Sequence, residues 1–101
     1  VDTAGNLVAF VKRDDTQSGS VMVAQDKART AALYRRPSKA FQDMVAGGGL
    51  GLRVMTMRDV VAAEGGLPLV VDGKIIGAVG VSGVNSDQDG MVAAAGAAAI
   101  A

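Results

Sequence analysis

The sequence predicts an α+β fold, one antiparallel sheet with helices packed against it. Three observations carry this. Two hairpin signals lie at opposite ends of the chain, at Gly5-Asn6 and Asp72-Gly73. Two capped helical stretches lie between them, and an alanine-rich helical tail follows the second. At 101 residues the chain is the size of a single domain.

Gly5-Asn6 is a turn signal between Val1-Asp2-Thr3 and the run Leu7 to Val11, whose strand can extend to Arg13. Only Val1 to Ala4 precede that turn. A hairpin needs partners of similar length, so the upstream half of strand one is expected to lie outside this chain.

Asp14 to Gly19 reads as a loop. Ser18 or Ser20 is placed to cap a helix running through Val21, Ala24, Ala28, Ala31 and Ala32 to about Tyr34. Pro37 ends it, and Ser38 is placed to cap a short helix from Lys39 to Ala46. Gly47-Gly48-Gly49 and Gly51 stop that helix. Leu52 to Met57 has no decisive period, and Arg58 to Ala62 fits a short strand.

Leu67 to Val71, Asp72-Gly73 and Lys74 to Val81 form a hairpin with a two-residue I′ turn. Pro68 has no N–H to give to a ladder, so it belongs at a strand start or an edge. Ser86 or Asp87 then caps the C-terminal helix, where acidic residues suit the helix dipole.

Composition excludes several function classes. Ten Lys+Arg against ten Asp+Glu give zero formal charge, which argues against a phosphate-backbone binder. With no Cys and no His, the chain supplies no disulfide, Cys nucleophile, His base or His- or Cys-ligated metal. Aromatics are 3%, too few for a base-stacking platform. No stretch approaches the roughly 20 apolar residues of a membrane span. The most apolar run, Val60 to Val71, is broken by Glu64, Gly65, Gly66 and Pro68. Half the residues are apolar, yet many are Ala and 14 are Gly, which bury little area each. Part of this apolar surface is therefore expected to be covered by other subunits.

Most local motifs have bland readings. Gly77, Gly80 and Gly83 lack the G-x-G-x-x-G spacing and read as close packing. Ser82 has no His to activate it. Asn85 to Gly90 resembles the opening of a calcium loop, but its twelfth position is Gly96 rather than Glu, which favours helix capping. Arg35, Arg36 and Lys39 can meet an anion or form a solvated helix end. Met55 and Met57 read as core or interface. Lys27 shares a helical face with Ala24, Ala28 and Ala31, so its stem should run along packed surface. Its ammonium, near Asp2 or Glu64, can contact an anion or carbonyl; a structural ion pair is an equal reading.

The order of motifs is more specific than any one of them. Val1-Asp2-Thr3-Ala4-Gly5-Asn6-Leu7-Val8-Ala9-Phe10 comes first, then Lys27-Ala28-Arg29-Thr30-Ala31-Ala32 and Arg36-Pro37-Ser38. Glu64-Gly65-Gly66-Leu67-Pro68-Leu69 and Ile76-Gly77-Ala78-Val79-Gly80-Val81-Ser82-Gly83 follow. This order resembles the bacterial GlcG/HbpS family, which includes haem-binding HbpS-like proteins and the C-terminal domain of PduO-type corrinoid adenosyltransferases.

The resemblance covers essentially residues 1–101 as a single domain. It implies a profilin-like antiparallel sheet flanked by helices, here lacking its first helix and part of strand one. It also implies homo-oligomers from dimer to octamer. The missing N-terminal segment is expected to be lost, disordered or, as the favoured reading, a bound companion peptide or chain. Lys27, Thr30, Glu64, Gly65, Gly66 and Pro68 stand at family motif positions and would line a cofactor pocket between the long helix and the hairpin loop. The His or Cys ligands of haem-binding members have no counterpart, so such a ligand would come from upstream or from a neighbouring subunit.

Three functions are compatible with these residues. The leading one is an oligomeric small-molecule or cofactor-binding protein, with haem or a corrinoid-type tetrapyrrole as the cofactor class. The second is an enzyme acting on a small carboxylate or carbonyl compound through Lys27 with Asp2 or Glu64. The third is a structural subunit without ligand. No nucleic acid or membrane span is implied. The cytoplasm is the default compartment, with the periplasm or exterior if an export signal precedes these residues.

Overall fold

Turn chemistry at Asp72-Gly73 organises the sheet. The computed structural model, which describes residues 1–100, places both residues at positive φ (50° and 76°), as an I′ turn requires. This turn joins β1 (Gly66–Val71) to β2 (Lys74–Gly80) as an antiparallel pair. The register runs from Val71 opposite Lys74 to Gly66 opposite Gly80, with an irregularity between Leu69 and Val70 that leaves Ile76 without a partner.

Three α-helices and a 3-10 helix complete the fold. Helix α1 (Gly19–Tyr34) ends where Arg35 turns left-handed (φ 56°) shortly before Pro37. Helix α2 (Lys39–Ala46) follows, then the 3-10 helix Gly49–Thr56. Helix α3 (Ser86–Ala98) starts after Asn85, one residue earlier than a Ser86 cap; Gln88 Oε1 accepts the Asn85 N–H at 3.3 Å. Helices α1 and α3 both pack against the hairpin, giving the expected α+β architecture.

The expected serine caps are put to other uses. Ser18 occupies the N-cap of α1 without a side-chain bond, while Ser20 is buried inside the helix and accepts from Gln17 Nε2 (3.3 Å). Ser38 precedes α2, but its hydroxyl donates to Ala63 O (2.6 Å) and accepts from Gly66 N (2.9 Å). It clasps the start of β1 instead of capping.

The first hairpin forms only its turn. Asp2 N donates to Asn6 O (2.9 Å) and Gly5 N to Asp2 O (3.0 Å), with Gly5 at φ 81°. Val1 exchanges both backbone bonds with Ala78 at 2.8 and 3.1 Å, lying along the free edge of β2. Leu7 to Arg13, expected as a strand, is irregular, with Val11 87% exposed. Its β-forming residues have no neighbouring strand to bond. Arg58 to Ala62 is not a strand either, because Asp59 turns left-handed (φ 57°).

Side-chain size decides where the core sits. The buried apolar residues are Ala28, Ala31, Ala32, Phe41, Val54, Ala78 and Ala93. Five of these seven are alanines, so helix and sheet must approach closely. They do so across the cross-strand pair Gly66 and Gly80. A Cβ on Gly66 would overlap the Lys27 carbonyl, and one on Gly80 would overlap the Ala24 carbonyl, so α1 lies on bare backbone. The largest fully buried side chains are Thr30, Ser38 and Asp89.

Candidate functional site

Close approach of α1 to the hairpin puts Lys27 in the interior. Its Nζ donates to Asp89 Oδ2 at 3.0 Å and to Val81 O at 3.2 Å. Asp89 Oδ1 accepts the Val84 N–H at 3.1 Å. The side chains are 3% and 2% exposed. Asp89 lies one helical turn before buried Ala93, on the face of α3 turned inward. The ammonium therefore meets neither Asp2 nor Glu64, as the sequence had suggested, but an internal carboxylate that it neutralises. This is a structural ion pair, closed to solvent, and it leaves the proposed Lys27 chemistry without its partners.

Asp2 and Glu64 have separate tasks. Asp2 Oδ1 accepts from Ala4 N and Asn6 N, each at 2.9 Å, within the first turn. The Asn6 backbone N–H holds its carboxyl below the ordinary value of 3.8. Glu64 is anchored by its N–H to Gln42 Oε1 (2.8 Å), and its carboxylate lies against Gly90 of α3.

The other expected site residues are packing elements. Thr30, fully buried, directs its hydroxyl to Asp26 O (2.7 Å) and Asp59 O (3.1 Å) and accepts from Val61 N (2.9 Å). Gly65 adopts φ 138°, and a Cβ there would sit 2.6 Å from Val81 O and 2.9 Å from Lys27 Cδ. Pro68 lies opposite Ala78. Since Ala78 directs both its backbone groups to Val1, Pro68 costs the ladder no bond. Among the described residues no buried side-chain polar atom lacks a partner.

The open space lies elsewhere. A cavity of about 860 Å³ opens between residues 9–17, the first turns of α1, residues 79–84 and α3. Such a volume lies in the range of small-molecule and cofactor sites, about 300–1,000 Å³. None of Lys27, Thr30, Glu64, Gly65, Gly66 or Pro68 lines it. The connection is Asp89, which reaches the wall with its charge already matched by Lys27. Sequence reasoning missed Asp89 by treating it only as a first-turn acid; its spacing from Ala93 was the available signal.

The wall is mainly apolar, with Val21, Val79, Val81, Val84 and Val92 joined by Phe10. Lys12, Arg13, Asp14 and Asp15 supply exposed charge. Lys12 and Arg13 have no salt-bridge partner among the described residues. No methionine or tyrosine faces the cavity, and the chain has no His or Cys. Among the described residues no group of three potential ligands gathers for a metal ion.

The basic cluster after α1 is dispersed. Arg36 donates to Tyr34 O (3.0 Å) and lies 5.7 Å from the Phe41 ring centre. Lys39 pairs with Asp43 at 2.9 Å, and that bond raises its pKa above 10.5. Met55 is 74% exposed and Met57 also lies on the surface, so neither is core.

The family described as "Haem degrading protein HbpS-like" matches residues 1–98. Protein GlcG of Escherichia coli K12 is 46% identical over 81 residues, covering 80% of this chain and 59% of GlcG. The chain thus spans less than two thirds of that relative. The crystal structure of a PduOC–haem complex superposes with a TM-score of 0.85 at 32% identity, covering 99% of this chain and 74% of that one. A double mutant of HbpS from Streptomyces reticuli superposes with a TM-score of 0.88 at 26% identity, covering 100% of this chain and 68% of that one.

Proposed function

The chain belongs to the HbpS-like family, and on that footing we propose that it is a subunit of an oligomeric protein that binds a haem-type tetrapyrrole. One observation carries this reading. The cavity of about 860 Å³ combines an apolar wall, the Phe10 ring and the exposed cations Lys12 and Arg13, with Asp14 and Asp15 next along the same segment. A planar macrocycle bearing carboxylates calls for that combination, because its ring gains from leaving water while its acid groups seek exposed positive charge. The family description and the haem held by the PduOC structure support the ligand class.

The residues present fit the ring better than the metal. Phe10 and the valines would hold the macrocycle, and Lys12 and Arg13 would meet its carboxylates. Haem iron usually takes His, Cys, Met or Tyr, and none of these lines the cavity. When bound, haem would supply a redox-active iron; this chain's own residues bind and orient it.

Self-association is supported by where the large apolar side chains lie. Leu7, Val8, Leu50, Leu52 and Met55 are all exposed. A monomer gains nothing from such a surface, whereas contact with other copies removes it from water. Titration with hemin, followed by Soret absorbance and by sedimentation, tests the reading. A saturable Soret shift on an oligomer is expected. No shift at micromolar hemin would reject the haem assignment and leave a structural subunit.

A further inference from the structure

We infer that the cavity recognises the macrocycle and leaves the iron unligated by this chain, so that metal-free porphyrin binds as tightly as haem. This deepens the haem-type reading above and rests on it. Two features of the wall carry it.

The first is the donor set. The cavity is lined by apolar side chains from residues 9–17, α1, residues 79–84 and α3, with charged groups from residues 12–15. The His, Cys, Met and Tyr side chains that usually bond haem iron are missing from it. Lys27, the interior amine beside the wall, has Nζ committed to Asp89 and Val81. Releasing it would leave Asp89 buried and unpaired, which is strongly unfavourable. Asp89 is likewise held by Lys27 and Val84.

The second is where the binding surface lies. Phe10 is 41% exposed and offers a ring outside the core, and Val11, Lys12 and Arg13 continue the same exposed segment. Ring stacking, apolar contact and carboxylate pairing are all indifferent to what occupies the porphyrin centre. Affinity should therefore follow the macrocycle and its acid groups.

The test compares hemin, protoporphyrin IX and its dimethyl ester on the full chain and on Phe10→Ala, which lies outside the buried core. Hemin and protoporphyrin IX are expected to bind within about threefold of each other, a difference of under 1 kcal/mol. Phe10→Ala should weaken both by the same factor, about three- to tenfold. The ester should bind more weakly than the free acid. Bound ferric haem should keep the spectrum of weakly ligated, high-spin iron. Tight hemin binding with a low-spin spectrum, and protoporphyrin IX weaker by about 100-fold or more, would overturn this inference while leaving the haem-type function standing. If neither porphyrin binds, both the inference and the function fall.

Discussion

Lys27 and Asp89, 62 residues apart in the chain, form an ion pair at 3.0 Å with both side chains almost wholly shielded from water. The contact fastens α1 to α3 and, through Val81 O and Val84 N, fixes the connection between β2 and α3. Each charge is tolerable inside only because the other is there.

Removing one partner should therefore cost more than an exposed pair would. Lys27→Met and Asp89→Asn are each expected to destabilise by about 3–5 kcal/mol, leaving a buried group unpaired. The double variant Lys27→Met/Asp89→Leu should recover much of that loss. Urea denaturation midpoints measure all three, and single variants within about 0.5 kcal/mol of the parent would show a solvated, surface-like pair.

The glycines divide into two groups with opposite outcomes. Gly66→Ala and Gly80→Ala push a methyl into the α1 backbone, and each should destabilise by about 1–3 kcal/mol or more. Gly96 lies in α3 with open space around it, so Gly96→Ala should stabilise by about 0.5–1 kcal/mol. Thermal melts should separate the groups by sign. A neutral Gly66→Ala would mean that helix and sheet stand further apart than described.

Thr30 links the connection before β1 to α1. Thr30→Val keeps the shape but removes the hydroxyl that serves Asp59 O and Val61 N. A loss of about 1–3 kcal/mol is expected from the unpaired buried groups. Hydrogen exchange at Val61 should rise in step; unchanged protection there would count against this bond.

Acid dependence has a defined sign at Asp2. Its carboxyl titrates below 3.8 in the folded chain, chiefly because the Asn6 N–H bonds the charged form. The stabilisation is present above 3.8 and is lost as pH falls through the lower folded value. Asp2→Ala should flatten that part of the stability profile, lowering stability at neutral pH and leaving the acid end, where the parent's carboxyl is already protonated, close to the parent. An Asp2 titration midpoint at or above 3.8, followed by carboxyl NMR, would contradict it.

Local chemistry made much of the fold legible. Pro37 and the glycines after Ala46 bounded α2, and Asp72-Gly73 dictated the second hairpin and its register. What escaped was set by distant partners. Leu7 to Arg13 carries strand-forming residues, but a strand needs a neighbour and the chain offers none there. Lys27 was recognisable as a buried cation, whereas its counter-charge came from a residue that sequence assigns to a helix terminus. The expected pocket residues are bulk-free or hydrogen-bonding positions because the helix lies on the sheet there. The cavity sits where that contact ends.

The alanine-and-glycine contact between α1 and the hairpin has a thermodynamic consequence. Apolar exposure raises heat capacity on unfolding and polar exposure lowers it. An interior whose largest fully buried side chains are Thr30, Ser38 and Asp89 releases little of the first and some of the second. For the isolated subunit the increment should fall below the usual ~12–15 cal/mol/K per residue. Its stability would vary shallowly with temperature, and the steep curvature typical of a globular domain would appear only when copies assemble.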